Sequence, residues 1–347
     1  MKKIPVAVLG ATGSVGQNFI ELLHGHPWFE ITALAASKRS AGKKYRDAAN
    51  WLSPNPLAQR YGDMVVRECL PGLPAKLVFS GLDATVAGEL ETAFATAGYV
   101  VVSNAKNHRM EHDVPLMVPE INPQHLPLIK RQQFGRGFII TNPNCSTTGL
   151  VLALKPLHDN FGLESVQVMT MQALSGAGYP GVPSMDILDN VLPFIAGEEK
   201  KLESEPLKIL GRINAPGIEL ETFKISAQCN RVALSNGHLE NVSVKLSTKA
   251  MARDIIAAWK NFRSDAVEGL PSAPQRPLIY FNEENYPQPR LHRMINGGMT
   301  VSIGRLRPCP VMDFRFTLLV HNTIRGAAGG AILNAELLYK KGYLNEQ

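Results

Sequence analysis

No apolar run in the chain approaches the roughly 20 residues that a bilayer-spanning helix needs, which excludes a helical membrane protein. Cysteine is scarce as well: Cys69, Cys145, Cys229 and Cys309 stand far apart, with no C-x-x-C pair. That spacing argues against a metal site of the zinc kind and against a dense disulfide framework, and a reducing cytoplasm is the simplest expectation. Low-complexity tracts and internal repeats are missing, which removes the disordered and fibrous classes. The opening MKKIPVAVLG breaks at Gly10 without a small-residue cleavage pattern, so it reads as a first strand rather than a signal peptide. The net charge of +6 comes from scattered lysines and arginines. Without a basic stripe, nucleic acid is not the expected partner, and the excess suits anionic small molecules.

What is present is a chain of 347 residues, 45% hydrophobic and 19% charged, long enough for two domains. An apolar run from Ile4 to Leu9 is followed by GATGSVG and then by a helix-like segment carrying Phe19, Ile20, Leu22 and Leu23. Further strand candidates begin at Ile31, Lys76 and Tyr99, with helical stretches such as AGELETAFATAG between them. Strands alternating with helices predict an α/β fold, a doubly wound parallel sheet covered on both faces, over residues 1–145. Beyond Cys145, VQVMTMQAL, HLENVSVKLS and GMTVSIGRL read as antiparallel strands, so residues 146–323 are expected to form an α+β domain with one sheet. Residues 324–347 again have helical spacing and are expected to return as a helix onto the first domain.

Gly10, Gly13 and Gly16 follow the first strand directly and open a helix. There, glycines let the backbone approach a pyrophosphate and the helix N-terminus supplies free N–H groups, the Rossmann arrangement for a dinucleotide. Where an NAD-preferring domain carries an acidic residue after the second strand, this chain has Ser37, Lys38, Arg39 and Ser40. Hydroxyls and cations there favour a 2′-phosphate, which predicts NADP(H).

Cys145 stands in TNPNCSTTGLVLAL, among asparagines and hydroxyls at a probable helix start. A thiol reacts as a thiolate, and a helix N-terminus or a histidine favours that form, so this setting suits a nucleophile. The serine and threonines after it suit a helix cap. His238, at the mouth of a strand-like segment, could act as general acid/base, and Gln172, before a glycine-rich turn, could belong to a site loop. Spacing alone selects neither.

GATGSVGQ, ASKRSAGKKY, SNAKNHRM, VPEIN, PNCSTTG, QALSGAGYPG, EPLKILG, NRVALSNGH and NTIRGAAGGAILNAELL, in this order across nearly the whole chain, resemble the aspartate-β-semialdehyde dehydrogenase family in its archaeal and fungal-like branch. The resemblance implies NADPH-dependent reductive dephosphorylation of L-4-aspartyl phosphate to L-aspartate 4-semialdehyde, on the route to lysine, methionine and threonine. It implies that Cys145 forms a thioester, that Gln172 positions the acyl group and that His238 is the acid/base. Arg231 would grip the α-carboxylate and Glu205 the amino group. Lys208 and Arg109 would bind phosphate, with Asn144 in the same region. Thr12, Ser14 and Val15 would join the three glycines, Ser37, Arg39 and Ser40 at the cofactor, as would Gly176 and Asn322. A homodimer or homotetramer assembled through the second domain is expected. A malonyl-CoA reductase of the same branch shares the thiol chemistry, and Asn144, Glu205 and Lys208 favour the amino-acid enzyme over it. A non-catalytic NADP sensor would have no need of the cysteine, histidine, glutamine and arginine together.

Overall fold

The computed structural model describes residues 3–215 and 217–344. Its first sheet holds β1 (Ile4–Leu9), β2 (Phe29–Ala36), β3 (Arg67–Glu68), β4 (Leu77–Ser80), β5 (Val100–Ser103) and β6 (Phe138–Thr141). Every pairing is parallel and the order is β3-β2-β1-β4-β5-β6. The direction of winding reverses between β1 and β4, where a crevice opens at the carboxyl ends of the strands. Helix α1 (Ser14–Leu22) follows β1 and α2 (Ala84–Thr96) follows β4. Strands β4, β5 and β6 are buried throughout, as continuous rather than alternating apolar runs, because both faces of the sheet are covered.

The second sheet begins with β7 (Leu163–Gln172); β8 (Arg212–Ile213) and β9 (Ile218–Glu219) pair separately. Then come β10 (Lys224–Arg231), β11 (His238–Leu246), β12 (Leu278–Phe281), β13 (Val301–Pro308) and β14 (Phe314–Val320), in the order β10-β7-β11-β14-β13-β12. This sheet is mixed, which corrects the antiparallel expectation. Its centre is antiparallel, but β10 runs parallel to β7 and β12 parallel to β13. The segments joining those pairs are long enough for a crossover, which parallel strands require.

Helix α3 (Cys145–Phe161) starts just after β6 and lies on the second sheet. Its Leu150, Val151, Leu154 and Leu157 share a core with Val168, Val242, Val244 and Val320. Close approach depends on Gly149, where a Cβ would meet the Val320 side chain at 2.8 Å. One end of α3 is therefore set by the first sheet and its flank by the second, which places Cys145 at their junction. Helices α4 (Glu198–Leu210) and α5 (Ala252–Asn261) pack beside it.

At the end of the chain a π-helical turn, Ile324–Ala328, runs into α6 (Gly329–Lys340). Ala331, Ile332, Leu333, Leu337 and Leu338 of α6 join Phe19, Ile20 and Val102 in the core of the first sheet, as expected. Residues 345–347 of the segment 324–347, and residues 1–2 of the segment 1–145, lie outside the described residues. Among those described, no helix is long and apolar enough to cross a membrane.

Candidate active site

The glycine turn has the shape its composition implies. Gly10 adopts φ 71°, and a Cβ on it would stand 2.6 Å from the Gly81 carbonyl oxygen; one on Gly16 would stand 2.3 Å from the Gly10 carbonyl oxygen. Both positions exclude side chains by contact with backbone. Gly13 is the N-cap of α1, with no capping side chain and no acidic residue in the first turn. The first N–H groups of α1, from Ser14 and Val15 onward, thus stay available to an anion. Thr12 lies inside the turn and its carbonyl accepts from Gln17. At the neighbouring carboxyl end of β2, the N–H groups of Ser40 and Ala41 donate to the Ser37 carbonyl at 2.9 and 3.1 Å, closing a tight turn. That turn leaves Ser37, Lys38 and Arg39 exposed and Ser40 buried.

Cys145 is the first residue of α3, and Asn144, rather than the following hydroxyl residues, caps it. The Asn144 Oδ1 accepts from the Ser146 and Thr147 N–H groups at 3.0 and 3.3 Å. His238 is fully buried, with its Nε2 3.2 Å from the Cys145 Sγ. Its Nδ1 accepts from the Ala173 N–H at 3.0 Å, so the proton of the neutral ring sits on Nε2, facing the sulfur. Burial, then Arg231 and His321, push the ring well below the usual histidine range, and it stays neutral at neutral pH.

The thiol departs from expectation. Cys145 is partly exposed, crowded rather than sealed. Burial, and after it the Glu198 carboxylate, push the thiol up to about 12. Arg109 and the Ser146 N–H pull the other way, so the helix start acts in the predicted direction but is outweighed. From behind, Gly326 of the π-helical turn presses on Cys145: a Cβ there would be 2.6 Å from the Cys145 Cβ. That turn is clamped by a buried two-bond ion pair, Arg325 to Glu120, at 2.8 and 2.6 Å.

The remaining predicted residues converge on the same junction. Gln172 ends β7, and its Nε2 donates to Glu198 and to Thr170, both at 3.3 Å. Arg231 ends the adjacent β10, with its Nη1 2.7 Å from the Ala173 carbonyl oxygen. Gly176 lies against Arg231 and His238: a Cβ would meet Arg231 at 2.8 Å and His238 at 3.1 Å. Asn322 accepts from the Gly237 N–H at 2.9 Å and donates to the Ser175 hydroxyl at 2.8 Å, tying the loop before His238 to the loop after Gln172.

Arg109 is buried, with Nη1 2.8 Å from a Glu205 oxygen and Nη2 2.7 Å from the Asn104 carbonyl. Its Nε has no partner among the described residues. The other Glu205 oxygen accepts the Asn144 N–H at 2.7 Å. Lys208 directs its ammonium at the carbonyls of Arg109, Glu111 and Val114, between 2.6 and 2.8 Å. Burial lowers its pKa to about 8, which leaves it charged at neutral pH. Glu205 and Lys208 thus shape the turn that carries Arg109. Both ends of the Asn144 amide are bonded inside the protein. Glu198, Glu120, Arg325, Gly326 and the buried Glu240 were not singled out by sequence. Glu120 and Arg325 stand in the quoted VPEIN and NTIRG segments, whereas Glu198 sits in a charged run that reads as a solvated face.

Residues 5–129 match the family model described as semialdehyde dehydrogenase, NAD binding domain, and residues 154–325 the one described as semialdehyde dehydrogenase, dimerisation domain. The aspartate-semialdehyde dehydrogenase of Archaeoglobus fulgidus is 48% identical over 97% of this chain and 98% of its own. That of Saccharomyces cerevisiae is 46% identical over 99% of each. A crystal structure of the Candida albicans aspartate semialdehyde dehydrogenase with NADP superimposes with a TM-score of 0.91, at 46% identity, covering 99% of this chain and all of that one. With close to half the residues identical across the full length of enzymes from an archaeon and from fungi, and the two sheets falling in order on the two family models, the chain belongs to the aspartate-semialdehyde dehydrogenase family.

Proposed function

We propose that this protein is an NADP-dependent aspartate-semialdehyde dehydrogenase, which reduces L-4-aspartyl phosphate to L-aspartate 4-semialdehyde and phosphate, reversibly, in the synthesis of lysine, methionine and threonine. The observation that carries this reading is Cys145 at the first turn of α3 with its sulfur 3.2 Å from the His238 Nε2, facing the junction between a dinucleotide-type sheet and a second sheet.

The Cys145 sulfur attacks the acyl carbon; the S–C bond forms as the C–O bond to phosphate breaks, the thiol proton leaves with the phosphate, and the product is a thioester on Cys145. Arg109 stabilises the leaving phosphate, while Glu205 and Lys208 hold the turn that carries it. Arg231 grips the α-carboxylate, and Gln172 orients the acyl group. When bound, the nicotinamide supplies the hydride that reduces the thioester. His238 acts as acid/base, with its Nε2 3.2 Å from the sulfur. Gly10, Thr12, Gly13, Ser14, Val15 and Gly16 would cradle the pyrophosphate of NADP(H), and Ser37, Arg39 and Ser40 its 2′-phosphate. Gly176 and Asn322 would reach the nicotinamide end. Residues 1–145 with 324–347 form the cofactor domain and 146–323 the catalytic and dimerisation domain. The enzyme works in the cytoplasm as a homodimer or homotetramer assembled through the second sheet.

Purified protein given L-aspartate 4-semialdehyde, NADP and phosphate should form NADPH only when phosphate is present. Cys145→Ala should abolish this while still binding NADP. Turnover that survives the substitution would overturn the reading.

A further inference from the structure

We propose that Glu198 is a positioning residue of this site: a single carboxylate that fixes the amide orientation of both Asn144 and Gln172 beside the nucleophile, with Lys201 as its counter-ion. It is the first residue of α4, where a helix N-terminus favours an anion, and it is buried. One of its oxygens accepts from the Asn144 Nδ2 at 2.7 Å and from the Gln172 Nε2 at 3.3 Å; the other bonds Lys201.

An amide has a donor end and an acceptor end, and which end meets the reacting centre decides what it can bind. Turning Asn144 over would set its NH2 against the Ser146 and Thr147 N–H groups and its oxygen against the carboxylate, so the cap and the anion fix one orientation together. Gln172 is fixed the same way, with its NH2 turned inward on Glu198 and Thr170 and its carbonyl oxygen turned away from them. Burial alone would raise the Glu198 carboxyl, but Lys201, Asn144 and Gln172 together hold it below the usual carboxylate range, so it is charged at neutral pH. Its charge also acts on Cys145, around which stand Arg109 and Lys201 as cations, with Arg231 and His238 on the adjoining strands.

The inference rests on Cys145 being the nucleophile, and the test separates the two. The rate of Cys145 alkylation by iodoacetamide at one fixed pH near neutrality, located by peptide mass spectrometry, is measured beside kcat and the KM for NADP. Glu198→Gln should speed alkylation and yet reduce kcat about a hundredfold, the scale expected when reacting groups lose their alignment, with the KM for NADP unchanged. Lys201→Met should slow alkylation. A wild-type alkylation rate in Glu198→Gln, or a wild-type kcat there, would overturn the positioning role. Failure of the nucleophile reading would instead appear in the unmodified protein, as turnover that alkylation of Cys145 leaves intact.

Discussion

Replacing Gly326 by alanine adds one methyl group at the most constrained contact of the site. The backbone at Gly326 is not in the left-handed region, so alanine fits its conformation and the effect is steric alone. The added Cβ would stand 2.6 Å from the Cys145 Cβ, 2.8 Å from its Cα and 3.1 Å from its carbonyl oxygen. Two of these atoms are backbone, so no rotamer change relieves the clash; reaching an ordinary contact of 3.4 Å takes about 0.8 Å of movement. The π-helical turn cannot easily retreat, because the Arg325–Glu120 pair clamps it. The Cys145 side yields, although Glu205 holds the Asn144 N–H and Asn144 caps the helix. Overpacking of this kind costs about 1–3 kcal/mol of stability.

The kinetic cost should be of the same size as the upper end of that stability loss. The Cys145–His238 contact is 3.2 Å, and displacing the sulfur by a substantial fraction of an ångström spoils it. A misplacement near 1 Å slows an enzyme by about a hundredfold, which corresponds to about 2.7 kcal/mol of barrier. The assay is phosphate-dependent NADPH formation, with Gly88→Ala as control, because a Cβ there first meets the Asn107 side chain, at 3.1 Å, rather than backbone. Gly326→Ala that folds and turns over within about twofold of the wild type would refute the reasoning, since a perturbation worth under about half a kcal/mol cannot reflect a displaced nucleophile.

Glu240 is fully buried beneath the site, its carboxyl oxygens lack a hydrogen-bond partner among the described residues, and burial raises it well above 4.5. The folded state therefore binds this proton where the unfolded chain has released it, so the contribution is intact below about pH 4.5 and is lost as pH rises toward the folded value. Glu240→Gln keeps the shape without the titration; its unfolding free energy relative to wild type should improve as pH rises above about 4.5, and a difference independent of pH would sink the argument. Arg39→Ala should raise the KM for NADP far more than that for NAD, and equal effects on both would remove Arg39 from the 2′-phosphate.

Local pattern made some elements legible and hid others. The strand, glycine turn and helix at Ile4–Leu22 were readable because every feature is consecutive and Gly10 and Gly16 meet backbone. The helix start at Cys145 was readable from its polar neighbours. β6 was not, since four residues between charged and glycine-rich loops carry no period. The parallel edges of the second sheet depend on how long connections cross, which strand composition does not encode. Glu198 was missed for a related reason: in EEKKLESEPLK its charge resembles that of its exposed neighbours, and only the amides of Asn144 and Gln172, both remote in sequence, identify it as interior. The Arg325–Glu120 pair joins residues 205 apart.

Those long-range ties bear on how the thiol is used. Asn144, Glu205, Gly326 and His238 hold Cys145 from different elements, and each fixes position rather than acidity. The electrostatics agree, since burial and Glu198 outweigh Arg109, the Ser146 N–H and Lys201, and push the thiol up to about 12. A nucleophile stored mainly as thiol is a poor target for stray oxidants and alkylating agents, which react with the thiolate. Its proton must then leave as the acyl carbon is attacked. His238 is ill-suited to take that proton at rest, because Nε2 already carries one and the Ala173 N–H occupies Nδ1. On the proposed reaction, the departing phosphate is a basic oxyanion that can receive it. Alkylation of the resting enzyme should accordingly be slow at neutral pH, while acyl transfer to Cys145 from aspartyl phosphate proceeds rapidly under the same conditions.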